Sequence, residues 1–140
     1  MSLNIRVIAP DKIVWNAKAE EVILPTSTGQ LGILSGHAAL LTALDSGVMR
    51  VRIKNNWNSI VLFGGFAEVE NDEIIILVNG AEEASAINLE KANKDLMESS
   101  SLLNAAKTNK EKIEATQKLR KAKARVQAAS TLANQNQSIY

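Results

Sequence analysis

Side chains able to do chemistry are few in this sequence. Cysteine is absent, which removes disulfides, thiolate metal ligands and thiol nucleophiles together. His37 is the single histidine and no HExxH-type pair exists, so a metal site is not expected. No Ser/Asp pattern near His37 argues for a nucleophilic triad, and a structural or interface hydrogen bond is its default role. Gly29, Gly32 and Gly36 punctuate one stretch, but no GK[ST] follows and no strand-loop-helix pattern surrounds them. They read as a loop's geometry and not as a phosphate cradle. The sequence offers no catalytic residue, no cofactor site and no metal site; an enzyme reading lacks its acid, base and nucleophile.

Charge is more informative. The formal net charge is +1, yet residues 1–86 carry 6 basic and 10 acidic side chains. Residues 107–125 carry 8 basic against 2 acidic, Glu111 and Glu114, a local +6. Lys118, Lys121 and Arg125 share one side of a helix here, with Arg120 and Lys123 on another. Three readings stand: a solvated helix face, a nucleic-acid contact, or a contact with an acidic protein surface. The helix has no interleaved aromatics and the protein is nearly neutral, which favours the acidic protein over nucleic acid.

Two kinds of element must position these residues. Up to about Val78 the periods are those of strands. Met49, Val51 and Ile53 alternate with Arg50, Arg52 and Lys54, as on a half-buried strand. Asn55-Asn56 supplies a turn into Ile60-Val61-Leu62-Phe63, Gly64-Gly65 breaks that strand, and Ala67 and Val69 alternate with Glu68 and Glu70. Asn71-Asp72 then turns the chain into Ile74-Ile75-Ile76-Leu77-Val78. Earlier strands are expected at Leu3-Ile5-Val7, Ile13-Val14-Trp15 and Glu21-Val22-Ile23-Leu24, the last stopped by Pro25. Between strands, Gly29 to His37 forms a glycine-shaped excursion exposing Leu31 and Ile33 to a partner. The spacing predicts an N-terminal antiparallel β-sandwich in residues 1–86.

After Gly80 the period becomes helical. Asn88 is placed to cap a helix, with Glu90 near its positive end. Leu89, Ala92, Leu96, Ser99, Leu103 and Ala106 form one stripe; Ala115, Leu119, Ala122, Val126, Ala129 and Ala133 form another. A turn at Thr108-Asn109 makes residues 87–140 a C-terminal αα-hairpin, with Asn134-Gln135-Asn136-Gln137 a frayed tail. Its seam is mostly alanine, and alanine buries far less than the roughly 1.5–3 kcal/mol of a leucine. Such a hairpin could exchange its packing on the sandwich for packing on another protein, or stay docked permanently. No apolar run approaches the ~18 residues that cross a bilayer. The start of the chain carries no secretory or transit pattern, which places the product where it is made.

These stretches together resemble the epsilon subunits of F-type ATP synthases. Leu3-Asn4-Ile5-Arg6-Val7-Ile8-Ala9-Pro10-Asp11 is similar to the family's first strand. Glu21-Val22-Ile23-Leu24-Pro25, Gly29-Gln30-Leu31-Gly32-Ile33-Leu34 and Gly36-His37-Ala38-Ala39-Leu40-Leu41-Thr42 resemble its most specific stretch, and Gly64-Gly65-Phe66-Ala67-Glu68-Val69 its second landmark. Leu119-Arg120-Lys121-Ala122-Lys123-Ala124-Arg125-Val126 is like the basic second helix of plastid and cyanobacterial members. The resemblance implies a ten-stranded sandwich with a helical hairpin and a non-catalytic rotor role, coupling proton flow to ATP synthesis and restraining ATP hydrolysis. The implied partners are the gamma subunit, the c-ring and the beta subunit, at a plastid thylakoid on its stromal side or at the cyanobacterial equivalent. It points to Gln30, Leu31, Gly32 and His37 as the c-ring-facing loop. It sets Lys118, Arg120, Lys121, Lys123 and Arg125 toward gamma and an acidic beta loop, with Arg120, Lys121 and Arg125 pairing there when the hairpin extends. Some bacterial members bind ATP through an Ile/Leu-Asp-x-x-Arg-Ala motif. Here Ile87-Asn88-Leu89-Glu90-Lys91-Ala92 has Asn for Asp and Lys for Arg, which loses the bidentate fork, so no nucleotide is expected.

Overall fold

The structure, a computed structural model, describes residues 2–10 and 12–138, with residue 12 and residues 133–138 described by backbone alone. Eight strands come first: β1 (Leu3–Ala9), β2 (Lys12–Ala19), β3 (Glu21–Thr26), β4 (Gly29–Leu34), β5 (Leu40–Ile53), β6 (Asn56–Glu70), β7 (Glu73–Val78) and β8 (Ala81–Glu83). A short 3-10 turn (Ala84–Ala86) leads to α1 (Leu89–Ala105) and α2 (Asn109–Ser138). The strand order is β2-β1-β7-β6-β5-β3-β4, with β8 beside β6.

The sheet folds over on itself because β5 and β6 are long enough to serve both layers. Residues 40–44 of β5 pair with residues 65–69 of β6 next to β7, β1 and β2. Farther along, Arg50, Val51 and Arg52 pair with β6 on one side and β3 on the other, and β3 carries β4. The inner faces meet in one core built from Leu3, Ile5, Val7, Val22, Leu24, Ile33, Met49, Val51, Ile60, Leu62, Ile74 and Ile76, each essentially inaccessible. The architecture is thus a β-sandwich followed by a helical hairpin. Counting β5 and β6 once per layer turns the eight continuous strands into the ten that the family resemblance implies.

Several local expectations change. The sandwich is not wholly antiparallel: β1 and β7 pair in parallel, Ile5 opposite Ile74, because the intervening run β2 to β6 serves as the long crossover that parallel pairing needs. Pro25 does not stop β3. It sits at a register shift between β3 and β5, where its missing N–H costs no ladder bond, and it packs against Gly47. Gly64 and Gly65, with φ of 70° and 147°, bend β6 without breaking it. The β5–β6 turn uses Lys54 and Asn55, one residue earlier than expected; Asn56 already pairs with Ile53. Asn71 and Asp72 form the β6–β7 turn as expected, both in the left-handed region, the geometry that matches strand twist.

The hairpin begins where expected, with the Asn88 side chain accepting from the Lys91 N–H at 3.0 Å. Thr108 caps α2: its hydroxyl accepts from the Glu111 N–H at 3.1 Å, while the Glu111 carboxylate accepts from the Thr108 N–H at 3.5 Å and the Lys107 N–H at 2.9 Å. This reciprocal capping box moves the turn to residues 106–108. Ala92 and Ser99 of the first stripe and Ala115, Ala122 and Ala129 of the second are buried. Ala133 lies outside the described side chains; the backbone of α2 stays helical through residues 134–137, where fraying was expected. A second buried face on α2 was not foreseen. Ala124 and Ala128 pack on Val48, Val61 and Ala84, flanked by Phe63, Ile87 and Leu132. This explains the unbroken apolar run at Ile60: Ile60 and Leu62 enter the core, while Val61 and Phe63 turn outward under α2. The hairpin is therefore docked, with α2 between α1 and the sheet.

The bend gives a clear expectation. A Cβ at Gly65 would sit 2.0 Å from the Leu77 carbonyl oxygen, whereas one at Gly32 meets nothing within 4 Å. Urea unfolding should show Gly65→Ala destabilised by about 3 kcal/mol or more. Gly32→Ala should stay within about 0.5 kcal/mol of the parent.

Candidate functional site

The glycine stretch is an edge strand and a turn, not an irregular excursion. Among the described residues β4 pairs with β3 alone, which leaves its outer backbone edge open there. Gln30 and Gly32 are exposed and His37 is half-buried. Leu31 is half-buried against the core, and Ile33 is fully buried within it, so Ile33 is not the exposed anchor expected from sequence. Alternation along β4 decides this, and it leaves Leu34 as the exposed large side chain of the strand. Gly32 has no steric neighbour and no left-handed backbone that requires glycine. What its small size leaves is bare backbone on the open edge.

Beyond β4, residues 34–37 close in a tight turn, with the His37 N–H donating to the Leu34 carbonyl at 3.2 Å and Gly36 at φ 86°. Asp72 reaches this turn from the β6–β7 connection, accepting from the Gly36 N–H at 2.7 Å and the Ser35 hydroxyl at 2.8 Å. The His37 Nδ1 lies 2.7 Å from the Ala38 carbonyl. Ser35, His37 and Asp72 are near one another in sequence or space, yet Asp72 binds the serine directly and the imidazole bonds to backbone. That wiring cannot activate a hydroxyl.

A second surface escaped the sequence reading. Ala43, Phe66, Leu77, Ile8 and Ile13 stand directly opposite one another across β5, β6, β7, β1 and β2. They lie on the face away from the core, with Phe66, Leu77 and Ile13 each more than half exposed and Leu41 exposed in the next row. An apolar row across five strands is unusual on a solvated surface. Its sequence signal is the unbroken run Ile74 to Val78, apolar on both faces of the strand.

The basic helix is divided between uses. Arg125 forms an ion pair with Glu82 of β8, Nη2 to Oε1 at 2.7 Å and Nε to Oε2 at 3.2 Å, and its guanidinium lies 5.0 Å from the centre of the Phe63 ring. The Lys121 ammonium lies 5.6 Å from the same ring. Lys118 lines a shallow groove between the helices with Leu102, Glu111 and Glu114. Arg120 and Lys123 are exposed. In the docked hairpin, then, Arg125 is turned onto its own sandwich, while Lys121 leans toward Phe63 yet stays exposed beside Arg120. Neither Glu82 nor Phe63 could be assigned from spacing, because the Arg125–Glu82 contact spans 43 residues and the Arg125–Phe63 contact still more.

The Gly36 N–H and then the Ser35 hydroxyl hold the Asp72 carboxyl below its ordinary 3.8. A carboxyl with a lowered folded pKa adds stability that is complete above its unfolded pKa and is lost as pH falls through the folded value. NMR titration should therefore find Asp72 ionising below 3.8. Amide protection at Gly36 should be lost as pH falls through that lower value, and this acid sensitivity should vanish in Asp72→Asn.

Among the described residues no cluster of His, Asp and Glu is arranged to hold a metal, and no helix is long and apolar enough to cross a membrane. The family model for the ATP synthase delta/epsilon chain β-sandwich domain matches residues 2–84. The chloroplastic ATP synthase epsilon chain of Galdieria sulphuraria is 89% identical over 140 residues, covering 100% of both chains. That of Porphyra purpurea is 67% identical over 130 residues, 93% of this chain and 97% of the other. The epsilon chain of Nostoc sp. is 67% identical over 94 residues, 66% of this chain and 69% of its own. A chain of the Euglena gracilis mitochondrial ATP synthase, 21% identical, shares the fold with a TM-score of 0.79 over 88% of this chain and 78% of that one. A sandwich with an uncovered apolar face, an open edge, a docked basic hairpin and relatives of this similarity lead to one conclusion: the chain belongs to the ATP synthase epsilon chain family.

Proposed function

We propose that this chain is the non-catalytic epsilon subunit of a plastid ATP synthase rotor, coupling proton flow to ATP synthesis and restraining ATP hydrolysis through its C-terminal helices. The observation that carries the reading is the apolar row from Ala43 to Ile13, a face that a rotor partner can cover permanently. The gamma subunit is assigned to that face. The c-ring is assigned to the open edge of β4 and its turn, through Gln30, Leu31, Gly32 and His37, with Leu34 added by its exposure. These attachments hold the subunit peripherally at the thylakoid, on the stromal side. Residues 1–86 act as the attached unit and residues 87–140 as the regulatory one.

For the basic helix the docked geometry revises the contact set. Arg120 and Lys123 are free to meet an acidic loop of the beta subunit, and Lys118 lies toward the turn that joins the two helices. Arg125 joins them only by leaving Phe63 and Glu82, and Lys121 by turning away from Phe63. An exposed ion pair contributes about 0.2–1 kcal/mol and a cation–π contact about 0.5–1 kcal/mol. The clasp is weak enough to exchange.

Two outcomes test these assignments. Replacing Phe66 by Glu and Leu77 by Lys, an opposite-charge pair across neighbouring strands, should weaken gamma binding about a hundredfold or more while leaving the thermal transition nearly unchanged, since both side chains already face solvent. Retained gamma affinity would sink the assignment of that face. Glu82→Gln should loosen the docked hairpin by about 1 kcal/mol and deepen the restraint on ATP hydrolysis in the reconstituted complex, whereas Arg120→Ala with Lys123→Ala should relieve that restraint. Hydrolysis rates identical to the parent in both variants would show the helix to be only a solvated face.

A further inference from the structure

The turn that ends the β4 edge is held from outside by one carboxylate. Gly36 and Ser35 donate to different oxygens of Asp72, 36 and 37 residues away in sequence. Among the described residues no other side chain from another element hydrogen-bonds this turn. Asp72 is itself fixed: it occupies the second left-handed position of the β6–β7 turn, and its carbonyl accepts from the Asn4 N–H of β1 at 2.8 Å. The carboxylate thus transmits the position of β1, β6 and β7, in one layer, to the end of an edge strand in the other.

A turn built on Ser35 and Gly36 has wide freedom when untethered, since glycine loses more conformational entropy on ordering than any other residue. This turn fixes where Leu34 and His37 stand relative to Gln30 and Gly32. A partner meeting an unheld turn would have to order it during association, which weakens binding. A carboxylate suits the task because it offers acceptors on both oxygens and no donor, matching an N–H and a hydroxyl.

We propose that Asp72 is a positioning residue for c-ring docking: its carboxylate pre-orders residues 34–37 without itself touching the partner. This rests on the assignment of the β4 edge to the c-ring. Asparagine tolerates the left-handed backbone at this position, so Asp72→Asn preserves the β6–β7 turn while replacing one acceptor by a donor. The variant also keeps the apolar face intact.

The test uses the full chain in complex with gamma and measures binding to a purified, detergent-solubilised c-ring. Amide exchange at Gly36 and gamma affinity are measured alongside. Asp72→Asn should speed exchange at Gly36 and weaken c-ring binding roughly five- to tenfold, with gamma affinity unchanged; Ser35→Ala should do the same to a smaller extent. Unchanged exchange, or faster exchange with unchanged c-ring affinity, overturns the positioning role. Equal weakening toward gamma and c-ring overturns it too, since that is a merely structural defect. Gly32→Trp separates this from the underlying assignment. If it abolishes c-ring binding while Asp72→Asn does not, positioning alone fails; if neither variant affects binding, the β4 edge does not face the c-ring.

Discussion

Gly65 lies where the backbones of β6 and β7 come so close that a Cβ would reach 2.0 Å from the Leu77 carbonyl oxygen, and its φ of 147° suits glycine. With Gly64, it bends a strand of 15 residues so that one end pairs in each layer. The rest of the molecule follows from that bend. It brings Ile60 and Leu62 to the same core as Val69 and Ala67, and it turns Phe66 outward into the apolar row while Val61 and Phe63 face α2. One strand therefore supplies the core, the face assigned to gamma and the floor beneath the hairpin. Straightening it would uncouple all three.

The two attachments differ in kind. The sandwich buries large aliphatic side chains completely and presents a broad apolar face, the sort of surface that stays covered. The hairpin rests on Ala124 and Ala128, supplemented by Arg125 and Lys121 around Phe63 and Glu82. Alanine packs closely but withdraws little area from water, and a pair one-third exposed is screened by solvent. The contact is specific in geometry and modest in energy. Those are the properties a regulatory segment needs if a partner's carboxylates are to displace it.

Charge in this protein acts through pairing more than through its sum. Asp72 and Arg125 both work at a distance in sequence, one ordering a turn and the other clasping a helix. The local +6 of residues 107–125 is real in the sequence, yet part of it is spent internally in the docked state. A charge count cannot distinguish a cation that awaits a partner from one that already has it.

Period-two alternation in β1, in β5 at Met49 to Lys54 and in β6 at Ala67 to Glu70, with the two 3.6-period stripes, determined the element types, because burial on one face imposes those periods directly on the sequence. Asn88 and the Asn71-Asp72 turn were legible for the same local reason: their bonds and backbone angles involve near neighbours in the chain. The Thr108-x-x-Glu111 capping box was equally local and was present to be read. Tertiary structure alone decided that β1 pairs parallel to β7, which face of β4 turns inward, and that Arg125 meets Glu82 and Phe63. Those outcomes depend on which distant segments meet, and burial on both faces of β6 erases the alternation that would have announced it. The sequence thus carries the elements and their inward faces, while the outward faces, on which a binding subunit depends, take their meaning from the partner each one finds in the fold.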